Sequence, residues 1–236
     1  MKKLVLIGGG GHCKSVLDAA FAMDKFDEIV ITDASITPGS KILGCEVVGT
    51  DGLLKKLKSK GFDYAFITVG CIRSSSLRES LVSKAKKIGF IFPVIIDPSA
   101  IVSQSAKIGS GTFVGKKAVV NADCVIGEHC IINTGAIIEH ECYVGDFCHI
   151  SVGSILCGNV KVGCNSFVGA GSTIVQSVKI GNRSVIGANS TVLVNVRDNQ
   201  TVYHIVNTPP RKLVRLTCLS FPIHKVSIIN NFQAVL

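Results

Sequence analysis

The sequence predicts two architectures in one chain: a Rossmann-like α/β domain at the N-terminus and a parallel β-helix after it. Between Val102 and Val192 an aliphatic residue falls at every sixth position without an insertion, and all sixteen positions are Ile, Val or Leu. Before residue 96, short apolar runs alternate with segments of helical spacing, the first run being Lys3–Ile7 and its sequel the four glycines 8–11. A period of six fits neither an α-helix nor an alternating sandwich strand and marks a solenoid. Strand–helix alternation implies a parallel sheet. With 236 residues, 47% hydrophobic and only 17% charged, the chain has the material for real cores and is not a disordered polymer.

Taken in order, Lys3–Ile7 reads as the first strand and the glycines turn the chain into a helix over 14–23. A second strand over 29–32 ends at Asp33. Further strands are expected over 41–48, 64–69 and 90–96, with helices over 52–60 and 74–88. The junction near Asp97 and Pro98 divides the chain into 1–96, 97–212 and a C-terminal extension, 213–236. A glycine turn from strand to helix aims backbone N–H groups at phosphates. The full dinucleotide fingerprint is absent: leading with Gly8 and Gly10 puts Cys13 at the third glycine position, and leading with Gly9 and Gly11 puts Lys14 there. A dehydrogenase is therefore disfavoured, and the loop alone fits either a plain structural turn or a nucleotide-phosphate cradle.

In the hexads the residue after the aliphatic is often glycine, as at Gly109, Gly115, Gly127, Gly145, Gly163, Gly169, Gly181 and Gly187. These glycines are expected to relax the backbone at the corners. The position two before the aliphatic is small except at Val160 and Val178. Four of the ten cysteines, Cys124, Cys130, Cys142 and Cys148, fill it as two pairs, the members of each pair three hexads apart, and read as packing thiols. Cys157 and Cys164 fall at corners, while Cys13, Cys45, Cys71 and Cys218 lie outside the repeat account.

The net charge is +9, but Lys and Arg are scattered apart from Lys55, Lys56, Lys58, Lys60 and Lys84, Lys86, Lys87, which read as solvated helix faces. Nucleic acid is disfavoured and anionic small ligands are weakly favoured. No uninterrupted apolar run is long enough to predict a membrane span. The basic start reaches glycine after four apolar residues, too soon for a secretory signal, so a cytoplasmic protein with reduced thiols is expected.

Residues 133–153 read NTGAIIEHECYVGDFCHISVG. Moving a proton at neutral pH calls for a group that titrates there, and an imidazole suits the task. His140 stands between Glu139 and Glu141, and a carboxylate on the far ring nitrogen would fix its tautomer. A corner histidine with solvated glutamates is the alternative on spacing alone. His149 lies a hexad and a half on, and Gly158 lies three hexads on from His140. Cys157, beside Gly158, is the best candidate for an acyl-enzyme nucleophile. His129, His140 and His149 are spaced 11 and 9 apart, which does not suit a zinc site.

This stretch, with GGGGHCKSVLDAA, SSSLRESL and the hexads, resembles the hexapeptide-repeat sugar acyltransferases of the sialic-acid/bacillosamine type over both domains to about Lys212. The resemblance implies a left-handed β-helix with three hexads per coil. It implies acetyl-CoA as co-substrate, without metal, and direct transfer to the 4-amine of a UDP-linked trideoxy amino sugar. His140 is implied as general base, with Glu141 raising its basicity. His149, Gly158, Ala170 and Ala188 are implied to contact acetyl-CoA, the Gly158 N–H donating to the thioester carbonyl. Asn133 matches a position near the sugar amine, and Gly11, His12, Asp33 and Gly70 match nucleotide contacts. Thr32-Asp33 departs from the family's frequent paired Asp, and Asp97-Pro98-Ser99 from its His-Pro-Ser. A homotrimer with its sites between subunits is implied. A hydroxyl of sialic acid or a GDP-linked amine such as perosamine are alternative acceptors, and a nucleotide-sensing scaffold trimer is the non-enzymatic reading. The extension 213–236 is expected to cap the β-helix or pack on a neighbouring subunit.

Overall fold

The N-terminal sheet is built on β1 (Lys3–Ile7), which pairs in parallel with β2 (Glu28–Thr32) and β5 (Tyr64–Ile67). The computed structural model describes residues 1–70 and 75–203; Cys71, Cys218 and the extension 213–236 lie outside the described residues. The strand expected over 41–48 is two strands, β3 (Lys41–Ile42) and β4 (Cys45–Gly49), folded into an antiparallel hairpin. Leu43 and Gly44 both hold positive φ in the turn, which matches the strand twist. The sheet order is β3-β4-β2-β1-β5. Helix α1 (Gly11–Met23) starts earlier than expected, directly on the glycine turn. A 3₁₀ turn at Asp51–Leu53 precedes α2 (Leu54–Ser59), and α3 (Ser76–Ile88) follows β5.

The expected strand over 90–96 does not complete this sheet. Ile91 makes a single bridge to Tyr64, and Ile95–Ile96 instead pairs with Phe113–Val114 on the β-helix. From there the chain winds through two-residue strands on three flat faces. Face one runs Ile95–Ile96, Phe113–Val114, Ile131–Ile132, His149–Ile150, Phe167–Val168, Val185–Ile186 and Thr201–Val202. Face two runs Ile101–Val102, Val119–Val120, Ile137–Ile138, Ile155–Leu156, Thr173–Ile174 and Thr191–Val192. Face three carries Lys107–Ile108, Val125–Ile126, Tyr143–Val144, Lys161–Val162 and Lys179–Ile180. This is a three-faced parallel β-helix, and from Ile95 to Thr191 each parallel pair joins strands three hexads, or one coil, apart. In each strand the second residue points inward and forms one apolar column with the small-residue positions.

The repeat reaches further than its unbroken run. Ile96 is in phase before it. Val196 and Val202 continue it after a two-residue shortening of the coil, pairing with Ile180 and Ile186.

The expectation for the corner glycines is corrected. Positive φ falls at the third residue after each aliphatic, without a break from Gly111 to Asn189, and most of those residues are not glycine: Asp123, His129, Glu141, Phe147, Asn159 and Asn165 are among them. The glycines directly after the aliphatics serve close stacking. A Cβ on Gly109, Gly127, Gly145, Gly163, Gly169 or Gly181 would meet backbone of the next coil at 2.3–2.7 Å.

The small-residue slot also carries hydrogen bonds where its residue can donate; Ala118, Ala136, Val160 and Val178 fill it without one. Thr112, Ser154, Ser166 and Ser172 donate their hydroxyls to the carbonyls of Gly127, Gly169, Gly181 and Gly187 at 2.7–2.8 Å. Cys124, Cys130, Cys142 and Cys148 make the same bond through sulfur, to Glu139, Gly145, Cys157 and Gly163 at 3.0–3.2 Å. These thiols are free and buried; they fill the slot and satisfy its carbonyl.

The two domains share a core. Phe113 and Ile131, on the outside of face one, are buried with Leu4, Leu17 and Ile95 against α1. At about 1.5–3 kcal/mol for each large buried apolar side chain, this contact holds the α/β domain firmly on face one.

Candidate active site

The resemblance-derived residues fall into three places. The first is the corner between faces two and three. His140 follows Ile137–Ile138, and its Nδ1 lies 3.3 Å from Glu141 Oε2. Both side chains are more than half exposed, at 53% and 64%. Glu139 turns elsewhere, accepting from Asn121 Nδ2 of the coil below at 2.9 Å. Of the two flanking glutamates, only Glu141 meets the imidazole. The next coil crosses directly above. The Asn159 N–H donates to the His140 carbonyl at 2.8 Å, and a Cβ built on Gly158 would stand 2.6 Å from His140 Cε1 and Nε2. Glycine at 158 therefore leaves the Nε2 edge of the ring clear. Among the described residues the buried Gly158 N–H has no hydrogen-bond partner.

The second place is the outer side of face one and its edge with face two, where the α/β domain rests. Asn133 Nδ2 lies 3.4 Å from His149 Nε2. His149 is edge-on to Phe167, and His12, at the start of α1, is edge-on to Phe113. His12 Nε2 is buried with no partner among the described residues. Burial, with His149 and Arg78 nearby, pushes the His12 imidazole down to about 3, so it is neutral at physiological pH. Ala170 and Ala188, each two positions past an inward aliphatic of face one, stack exposed on successive coils along this same edge. The expected acetyl-CoA residues are thus split: Gly158 stands with His140, while Ala170 and Ala188 share the edge of Asn133.

The third place is the crevice beyond the carboxyl ends of β1, β2 and β5, the usual ligand position in an open α/β sheet. A cleft of about 300 Å³ is lined by Ile7, Gly8, Thr32, Asp33, Val69 and Leu81, among others. Partial burial raises the Asp33 carboxyl, but the N–H groups of Gly9, Ser35 and Ile36 more than offset it and hold it below the usual range. Gly8 needs positive φ and Gly9 would strike Ile36, whereas a Cβ on Gly10 or Gly11 would meet nothing. The last two leave open space above the uncapped N-terminus of α1. Gly70 follows β5 at the same end of the sheet.

A larger hollow, about 940 Å³, lies between α2 and α3 and is lined by Lys55, Lys58, Lys84 and Lys87. It is open, two of its lysines are tied to Asp63 and Asp51, and none of the residues above lies in it. Among the described residues, no His, Cys, Asp and Glu grouping could hold a metal ion, and no helix is long and apolar enough to cross a membrane.

A hexad β-helix carrying an α/β crevice domain defines a hexapeptide-repeat acyltransferase. Residues 3–85 match the family model described as PglD N-terminal domain, and residues 105–140 and 159–193 match bacterial transferase hexapeptide (six repeats). Among solved structures, a mutant of GDP-perosamine N-acetyltransferase from Caulobacter crescentus, in complex with CoA and GDP-perosamine, is 35% identical over 86% of this chain and 94% of its own, with a TM-score of 0.81. The acetyltransferase domain of PglB from Neisseria gonorrhoeae, in complex with acetyl coenzyme A, is 38% identical over 86% and 96%, with a TM-score of 0.80. WeeI from Acinetobacter baumannii shares the fold at 20% identity and a TM-score of 0.75. Comparison with curated protein sequences finds no match. The chain belongs to the hexapeptide-repeat sugar acyltransferase family, in the group with a PglD-type N-terminal domain.

Three features of the site were not legible in the sequence: the Asn121–Glu139 tie, the pairing of His149 with Asn133, and the contribution of Leu77 and Leu81 to the crevice.

Proposed function

We propose that this protein transfers the acetyl group of acetyl-CoA to the 4-amine of a UDP-linked amino sugar, with His140 as general base. The observation that carries this reading is the His140 corner. Glu141 faces Nδ1, which leaves Nε2 as the acceptor, and Nε2 opens toward a residue of the coil above that lacks a side chain. As the amine attacks the thioester carbon, its proton passes to Nε2 and the Glu141 carboxylate stabilises the imidazolium. The Gly158 N–H donates to the developing oxyanion, a role supported by its having no other hydrogen-bond partner among the described residues. Collapse breaks the carbon–sulfur bond, and the thiolate of CoA takes the proton back from the His140 imidazolium, which returns the base to its neutral form.

The nucleotide occupies the crevice at β1, β2 and β5, with phosphates above Gly10 and Gly11 at the α1 N-terminus. CoA lies along the edge that carries Ala170 and Ala188. His140 and Asn133 sit at opposite edges of face two, whose outward row of Ile101, Val119, Ile137 and Ile155 is apolar. A homotrimer that covers this face would bring the edge of one subunit to the other edge of its neighbour and complete the site. A GDP-linked acceptor is the second reading, favoured by the 35% identity to a GDP-perosamine enzyme.

The test mixes protein, acetyl-CoA and a UDP-4-amino sugar and follows CoA release. A thermal-shift panel of UDP, GDP and CMP runs alongside, and light scattering measures the mass. CoA release, stabilisation by UDP and a trimeric mass are expected. Stabilisation by GDP alone would move the assignment to the GDP-linked amine, and absence of acetyl-CoA binding would leave a scaffold.

A further inference from the structure

The corner between faces three and one carries a column of residues on successive coils, Gly111, His129, Phe147 and Asn165, all with positive φ. The backbone ladder leaves the carbonyls of His129 and Phe147 unused among the described residues. Helix α3 of the other domain takes both. Arg78, 2% exposed, donates from one guanidinium nitrogen to the His129 carbonyl and from the other to the Phe147 carbonyl at 3.4 Å. The guanidinium also lies 5.9 Å above the Phe147 ring. Ser75 Oγ reaches the side chain of Asn165 on the following coil. Below, the His129 ring stacks on Phe147 at 5.1 Å, meets Phe92 edge-on at 4.8 Å and lies over Gly111, where a Cβ would come within 2.2 Å. Burial is the main reason the His129 imidazole is lowered to about 4, so it packs as a neutral ring.

On the same helix as Arg78, Leu77 and Leu81 wall the nucleotide crevice. A single helix, with the serine before it, therefore touches the crevice on one side and three successive coils on the other. We propose that Arg78, assisted by Ser75, is a positioning residue that fixes the height of the nucleotide crevice along the β-helix, and so aligns the acceptor amine with the thioester. This rests on the acetyltransferase reading above. A slip by one coil would displace the crevice by about 4.8 Å. A misplacement of about 1 Å can cost roughly a hundredfold in rate when the reacting atoms must sit about 3–3.5 Å apart.

The test compares wild type with Arg78→Met, Arg78→Lys and Phe147→Leu, the last removing the ring under the guanidinium while leaving the carbonyl. Calorimetry gives nucleotide and CoA affinities, steady-state kinetics gives kcat and KM, and thermal unfolding checks the fold. Both affinities are expected to stay within about threefold, while kcat falls by about tenfold or more in Arg78→Met, with partial recovery in Arg78→Lys and a smaller loss in Phe147→Leu. A purely structural role would lower Tm and leave kcat of the folded protein unchanged in all three variants; that result overturns the proposal. Loss of nucleotide binding with CoA binding intact would also overturn it, by placing Arg78 in the crevice. If Arg78→Met does not fold, Arg78→Lys and Phe147→Leu decide by the same criteria. Failure of wild type to bind nucleotide or release CoA would instead refute the acetyltransferase reading.

Discussion

His140 and His129 stand within one coil of each other on corners of one β-helix, in opposite surroundings. His140 is half exposed, faces a carboxylate and lies beneath a glycine. His129 is buried, lies over a glycine and beneath a phenylalanine, and has an arginine on its carbonyl. The hexad decides where each histidine stands, and the residue one coil above decides what it can do. Glycine above leaves room for a reacting group; an aromatic ring above fills that room and excludes water.

The sharpest way to break this contrast is to fill the space over His140. In Gly158→Ala the new methyl would stand 2.6 Å from the imidazole, and φ at 158 is not in the left-handed range, so the backbone tolerates alanine. Turnover should fall on the order of a hundredfold or more with little change in Tm, the size expected when a transition-state donor and base are displaced. Near wild-type kcat would show that the gap is not used.

Glu141→Gln leaves shape intact and removes the charge behind the ring. Because the pair is more than half exposed and 3.3 Å apart, the loss of kcat should be nearer tenfold, below the roughly 10²–10⁴ that a general base itself contributes. Wild-type kcat in a folded Glu141→Gln protein would separate Glu141 from the work of His140.

The His129 side of the contrast is read in stability against pH. Its folded-state value, about 4, lies below the unfolded value of 6.5. The unfolded chain therefore takes up a proton first, and stability drains away as pH falls from about 6.5 through 4. His12, lowered to about 3, acts in the same direction. The His129 share is roughly 1–3 kcal/mol. Denaturant melts of His129→Phe across this range should show a shallower acid loss; an unchanged slope would mean that the imidazole is not held neutral.

The smallest effect concerns the slot beneath the corners. Cys130→Ser keeps a donor for the Gly145 carbonyl and should change stability by less than about 1 kcal/mol, whereas Cys130→Val removes it and should cost about 1–3 kcal/mol. Equal stabilities would reduce the slot to a matter of size.

Much of the β-helix was legible because one rule recurs: each aliphatic from Val102 to Val192 is the inward residue of its strand. The rule ran out where the period slipped, at Val196 and Val202, and where glycine's role depended on the neighbouring coil rather than on its own dihedrals. In the α/β domain most strands stand where expected, but the Leu43–Gly44 turn was hidden inside a run that reads as continuous. At the site, the spacing of His140 and Gly158 stacks them once three hexads make a coil, which the resemblance implied. The meeting of His12 with Phe113, or of Arg78 with His129, joins residues of different domains, and no local pattern encodes that docking.

Whether the His140 corner performs the transfer is tested most directly by CoA release from acetyl-CoA and a UDP-4-amino sugar by His140→Ala, with Tm and molecular mass measured on the same sample. A fall in kcat of about 10²–10⁴ is predicted, with stability and assembly unchanged. Wild-type turnover in a folded His140→Ala protein would contradict it.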